Sequence, residues 1–251
     1  MRFLVTNDDG IHAPGLRALA EELRKVGEVT VVAPDRERSA VGHSVTFHSP
    51  LRVRPVAQEE GYTAFMTDGT PTDCVLLALF DLMKEPPDIV FSGINRGGNL
   101  GDDVTYSGTV AGAMEGAIQG FPAVAVSLVG RAQDLDYGAA ARFAARLARA
   151  AAGCRFPPKT VLNVNVPPIP EDQIEGYEIT HQGHTVYDQK IVRRVDPWGT
   201  EYFWVTGALP TGEPLEGTDF GAVHRNRISI TPIQTNLTNF ELLEEFGQWQ
   251  I

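Results

Sequence analysis

Two aspartates stand side by side near the start of the chain, in Thr6-Asn7-Asp8-Asp9-Gly10. Adjacent carboxylates repel one another, and a hard divalent cation relieves that repulsion through oxygen ligands. The same residue types also make an ordinary turn or helix cap, so this segment alone leaves both readings open. A second segment, Ser92-Gly93-Ile94-Asn95-Arg96-Gly97-Gly98-Asn99-Leu100-Gly101-Asp102-Asp103, leads on to Ser107-Gly108-Thr109. Glycines let backbone N–H groups approach an anion closely, and a helix start adds free donors and a favourable dipole. The Ser107 and Thr109 hydroxyls can add hydrogen bonds. A connection this long inside a compact domain is seldom mere linkage; its plain alternative is a flexible surface loop. The third segment is Pro34-Asp35-Arg36-Glu37-Arg38-Ser39-Ala40-Val41-Gly42-His43. It can bring a hydroxyl and guanidinium groups to the same place, although by itself it reads as a solvated charged loop. His43, His181 and His184 fit structural or loop positions better than a metal site.

These segments act together only if the fold gathers them. Apolar strand patterns at Arg2–Thr6, 28–33, 88–91, 123–128 and Thr160–Val166 alternate with amphipathic helical spacing at 15–25, 71–83, 107–119 and 136–152. Residues 45–56 and 62–66 read as a further β pair. Such alternation predicts a doubly wound α/β fold with a mostly parallel sheet covered on both faces. Ligands in such sheets bind beyond the carboxyl ends of the strands, where all three polar segments begin. Thr70, Pro71 and Asp73 make a strong helix start. Gly108, Gly112, Gly116 and Gly120 recur every four residues and predict close packing of one helix face on the sheet.

Composition shifts at Pro167-Pro168-Ile169-Pro170, giving an expected core over 1–166 and a β-rich extension over 167–251. Within the extension, 185–195 and 200–206 predict a long hairpin around Asp196-Pro197-Trp198-Gly199. Its aromatic arm, with Tyr202, Phe203 and Trp204, fits either an oligomerisation arm or a hairpin lying on its own domain. Thr238-Asn239-Phe240-Glu241 predicts the capping box of a terminal helix.

Across 251 residues the net charge is −11, which disfavours a nucleic-acid duplex and an anionic membrane surface as partners. A hydrophobic content of 43% disfavours disorder. The opening apolar run is too short for a signal peptide, and no stretch has the length of a membrane span. Cys74 and Cys154 sit in helical patterns and read as buried small hydrophobes. A soluble cytoplasmic protein is the expectation. There is no G-x-x-x-x-G-K-[ST], no G-x-G-x-x-G after the first strand and no G-x-S-x-G elbow. A receiver domain also keeps an early acidic pair, but it needs an Asp where this chain has Ser92-Gly93-Ile94-Asn95.

Taken in order, Asn7-Asp8-Asp9-Gly10, Arg38-Ser39, Gly69-Thr70-Pro71-Thr72-Asp73-Cys74, Ser92-Gly93-Ile94-Asn95-x-Gly97-x-Asn99 and Tyr106-Ser107-Gly108-Thr109-Val110-Ala111-Gly112-Ala113 closely resemble the SurE family of survival-protein phosphatases. The resemblance covers about the first 130 residues and is less distinct beyond them. It implies a Rossmann-like core and a divalent-metal-dependent nucleotidase releasing 5′- or 3′-phosphate from nucleoside monophosphates, with some action on polyphosphate. It also implies homodimers or homotetramers. By motif, Asp8, Asp9, Ser39 and Asn95 correspond to metal ligands, with Asp8, Asp9 and Asn95 in the catalytic set. Asn99, Ser107, Gly108 and Thr109 fall where phosphate is expected. The chemistry agrees: two carboxylates, a hydroxyl and an amide oxygen suit Mg²⁺ or Mn²⁺ better than zinc. The competing reading is a nucleotide- or phosphate-binding regulatory module without turnover.

Overall fold

The computed structural model describes every residue except 131, 133, 153–155, 209, 250 and 251. In chain order its elements are β1 (Arg2–Thr6), α1 (Pro14–Arg24), β2 (Glu28–Pro34), β3 (Val53–Glu59), β4 (Tyr62–Thr67), α2 (Pro71–Leu77), β5 (Ile89–Arg96), α3 (Gly108–Ile118), β6 (Ala123–Leu128), α4 (Gly138–Ala151) and β7 (Thr160–Val166). There follow β8 (Tyr177–Ile179), β9 (Thr185–Val186), β10 (Gln189–Val195), β11 (Glu201–Gly207), β12 (Thr211–Gly212), α5 (Asp219–His224), β13 (Ile228–Gln234) and α6 (Leu243–Gly247).

One sheet runs β3-β4-β2-β1-β5-β6-β7-β13-β8. From β4 to β7 every neighbouring pair is parallel, as expected of strands buried on both faces. Phe3, Leu4 and Val5 of β1 and Val90 and Phe91 of β5 are fully buried, and Phe3 meets Phe91 edge-on at 5.9 Å. Helices α1 and α4 cover one face through Leu16, Leu19, Leu23, Ala140, Phe143 and Ala144. On the other face α2 and α3 pack through Cys74, Val75, Val110, Ala113 and Ala117. Chain order reverses between β1 and β5, so this doubly wound sheet has its switch point there.

Local chemistry sets the element ends. Thr70 accepts from the Asp73 amide while Asp73 accepts from Thr70, and Pro71 follows the cap. Thr70→Ala is expected to cost about 1 kcal/mol, read as a lowered urea midpoint with an unchanged slope. On α3, a Cβ added at Gly112 or Gly116 would lie 2.9 Å from Thr6 Cγ2 or 2.8 Å from Val90 Cβ, so these glycines do permit close packing. Gly120 has another job: with φ of +95° and open space around it, it ends the helix.

Several expected boundaries move. Residues 45–52 are not strand, because Thr46 is drawn to α2, where its amide and hydroxyl donate to Asp73 at 2.9 and 2.6 Å. The helix expected over 71–83 widens at Ala78–Leu82 into an i→i+5 turn closed by Met83 N–H on Ala78 O. Strand 88–91 continues to Arg96, since β6 keeps pairing with it past a register shift between Gly93 and Asn95. Sheet pairing also crosses the expected boundary at 166/167: β13 adds antiparallel to β7, and β8 adds to β13. Of the hairpin expected over 185–206, β10–β11 forms the isolated two-stranded part, whereas Thr185 and Val186 pair instead with Gly212 and Thr211. At the tail Asn239, not Thr238, caps, accepting from the Glu241 amide before a short turn and α6. Cys74 is buried and free, whereas Cys154 lies outside the described residues. Among the described residues no helix is long and apolar enough to cross a membrane.

Candidate active site

The β1 and β5 carboxyl ends open into a cavity of about 740 Å³ whose lining includes Asp8, Asp9, Ser39, Asn95, Asn99 and Ser107. Six of the eight residues picked from sequence therefore meet in one space. Gly108 and Thr109 do not line it; Thr109 bonds to Asp8 from behind, and Gly108 gives the Asp8 side chain room to approach α3.

Each member is placed by a different element. Asn7 closes the turn after β1 by donating to Gly10 O at 3.0 Å, which leaves the two aspartates at the strand end. Asp8 is buried against the start of α3, where the Thr109 hydroxyl donates to its Oδ1. Asp9 is half-buried and accepts the Arg96 amide at 3.1 Å, tying β1 to β5. The Arg38 amide donates to Asp8 O at 2.7 Å and brings in the loop after β2. In that loop the exposed Ser39 hydroxyl donates to Glu37 Oε1 at 2.6 Å, so its lone pairs stay available to a ligand. Beyond the bulge in β5, Asn95 donates its amide N–H to Gly97 O at 2.8 Å, turning its carbonyl oxygen the other way. Ser107 caps α3 by accepting from the Val110 amide at 3.0 Å, which leaves its hydroxyl proton to donate elsewhere.

Burial pushes the Asp8 carboxyl up to about 6, helped by the neighbouring Asp9 and opposed by the Thr109 contacts. Burial also raises Asp9; the Arg96 amide opposes this and Glu37 adds to it. The pair thus carries a charge that its surroundings do not neutralise. Because the folded pKa lies above the ordinary value of 3.8, the Asp8 contribution to stability is full below 3.8 and is lost as pH rises through about 6. In chelator, raising the pH across that window should cost about 3 kcal/mol at Asp8. Urea unfolding at pH 4 to 7 reads the slope, and Asp8→Asn should flatten it.

Sequence reasoning missed the far wall. Tyr187 and Gln189 line the cavity from the hairpin's base, and Tyr187 Oη donates to Asp103 Oδ1 at 2.7 Å. Tyr106 meets Tyr187 edge-on, with ring centroids 6.3 Å apart. Asp103 and Tyr106 lay within or beside the glycine-rich segment, but no spacing ties them to a tyrosine 84 residues from Asp103. His43 pairs with Glu115 of α3 at 2.9 Å and His184 is almost fully exposed, so neither is in the cavity lining. Among the described residues no three or more His, Cys, Asp or Glu form a metal cage. A water-rich oxygen site built on one or two carboxylates is the arrangement that Mg²⁺-type ions favour, and Asp8, Asp9, Asn95 and Ser39 fit it.

Fold and site together define a Rossmann-like α/β protein with an acidic pair and a helix start facing one cleft at its switch point. The family model for the survival protein SurE matches residues 3–189. The chain belongs to the SurE family. It is 54% identical over 251 residues to a 5′-nucleotidase SurE of Geobacter sulfurreducens, covering 100% of this chain and 94% of that one. A 5′-nucleotidase SurE of Geotalea daltonii is 49% identical, with both chains covered in full. Among solved structures, the SurE protein from Aquifex aeolicus is 40% identical, with a TM-score of 0.84 and 98% of each chain covered.

Proposed function

We infer that this chain is a 5′-nucleotidase, a phosphomonoesterase that releases phosphate from nucleoside monophosphates. The observation that carries the reading is the acidic pair set beside the capped start of α3 in the wall of one polar cavity. Asp8, Asp9, Asn95 and Ser39 would hold Mg²⁺ or Mn²⁺, which supplies Lewis-acid polarisation of a phosphoryl oxygen when bound. A pure anion binder gains nothing from two carboxylates beside its phosphate unless a cation intervenes.

The chain's own groups account for the rest. Asn99 and the Ser107 hydroxyl, both in the cavity lining, would donate to the phosphoryl oxygens, with the dipole of α3 behind them. Thr109 holds the Asp8 carboxylate so that it stays aimed, despite burial. A water attacks phosphorus in line with the leaving ribose oxygen, and Asp8 or Asp9 orients it or takes its proton. Action on 3′-monophosphates and polyphosphate belongs to the same reading.

The exposed apolar residues of β10–β11, including Ile191, Phe203, Trp204 and Val205, support a homodimer or homotetramer joined through the hairpin. The free thiol Cys74 suits a reducing cytoplasm. Phosphate release from a panel of 5′- and 3′-monophosphates and polyphosphate, with Mg²⁺, with Mn²⁺ and after chelation, tests the function. Metal-dependent release from nucleoside 5′-monophosphates is expected; metal-independent binding without release would make the chain a regulatory module.

A further inference from the structure

We propose that Asn163 and Asn165 of β7 are positioning residues that set the phosphate end of the cavity by clamping the Asn99 backbone. Both lie on one face of a central strand and are fully buried. Asn165 Oδ1 accepts the Asn99 amide at 2.8 Å, and its Nδ2 donates to the Asn99 carbonyl at 3.0 Å. Asn163 Nδ2 donates to that same carbonyl at 2.8 Å. Asn99 in turn donates through Nδ2 to the buried Ser127 Oγ of β6 at 2.7 Å. Turning either amide over would set oxygen against the Asn99 carbonyl, so both orientations are forced.

The cost of this arrangement argues for its use. Valines fill neighbouring places on β7 (Val161, Val164 and Val166), and an apolar side chain at 163 would leave nothing unsatisfied. Instead Asn163 keeps its Oδ1 buried without a partner. Such groups persist where they fix something else, and here it is the backbone N–H and C=O of Asn99, in the two peptides that flank its side chain. The bonds reach from β7 past β6 to the loop following β5, so the rigid sheet, not the loop, decides where Asn99 sits.

The proposal rests on the reading that Asn99 faces the phosphoryl group. Asn165→Ala and Asn163→Ala, each checked by thermal melting, are assayed for kcat and KM on a nucleoside 5′-monophosphate. Inorganic phosphate binding with Mg²⁺ and Mn²⁺ affinity without phosphate are measured alongside. Asn165→Ala should raise KM and the phosphate Kd about tenfold, with Mn²⁺ affinity within about twofold of the unaltered protein. Asn163→Ala keeps both Asn165 bonds and should raise them about threefold, which serves if the first variant does not fold. Values within twofold in both folded variants, or an equal loss of Mn²⁺ affinity, would overturn the clamp. If the unaltered protein releases no phosphate, the functional reading fails, and the clamp is judged by exchange of the Asn99 amide hydrogen. Faster exchange in the variants supports it, and unchanged exchange overturns it.

Discussion

Asp8→Asn is expected to cut phosphate release by about a thousandfold or more while making the metal-free protein more stable at pH 8. The two effects share one cause. Asp8 is buried against α3, with a pKa pushed up to about 6, so at pH 8 its charge opposes folding when nothing neutralises it. An asparagine keeps the shape, and the Thr109 hydroxyl can still donate to its oxygen. What it loses is the charge that would hold a cation and aim the attacking water, worth several kcal/mol at the transition state. Kinetics at saturating Mg²⁺ or Mn²⁺ and urea midpoints in chelator give both numbers. Activity within tenfold of the unaltered protein would remove Asp8 from the chemistry. A drop in metal-free stability would show that burial does not strain this carboxylate.

Gly108→Ala should cost about a hundredfold in kcat/KM with the fold retained. A methyl at this position would sit 2.8 Å from Asp8 Cβ and 2.9 Å from its Oδ2. Its neighbour is the root of the Asp8 side chain, which cannot swing aside as a flexible tip would, so α3 or the turn after β1 must shift. Either shift separates the helix start from the acidic pair. Gly120→Ala at the other end of the same helix is the control, because space there is open and only φ of +95° resists the methyl. It should cost about 1 kcal/mol of stability with no change in turnover. Equal activity loss in both variants would assign the Gly108 effect to general destabilisation. Normal kinetics in Gly108→Ala would mean that the close approach to Asp8 does not matter.

The sheet was legible because its strands are short, apolar and regularly spaced between amphipathic helices; Thr160–Val166 was read to the residue. The acidic pair and the glycine-rich segment were legible because polar residues cluster where apolar strands end. Thr109 shows the limit of that reading. Sequence offers its hydroxyl to phosphate, whereas the fold buries it and gives it to Asp8, a choice made by helix packing through Gly108 and Gly112. β5 ran on past its expected end because Gly93, at φ of +137°, lets a bulge carry pairing through to Arg96. The strand expected from residue 45 lost residues 45–52, where Thr46 bonds to the Asp73 side chain, which no local periodicity encodes. Tyr187 reached the cavity by long-range docking of the hairpin's base, and β13 joined the core from well beyond the proline-rich boundary.

On the proposed function, Asp8, Asp9, Asn95 and Ser39 would hold the divalent cation for phosphate-ester hydrolysis. The most direct test is a crystal of the active protein soaked in Mn²⁺, with the ion located by anomalous scattering. A peak is expected about 2.0–2.5 Å from oxygens of both aspartates, inside the cavity and absent from Asp8→Asn crystals. A Mn²⁺-dependent enzyme whose only peak lies elsewhere, for example at Asp102 and Asp103, would contradict it.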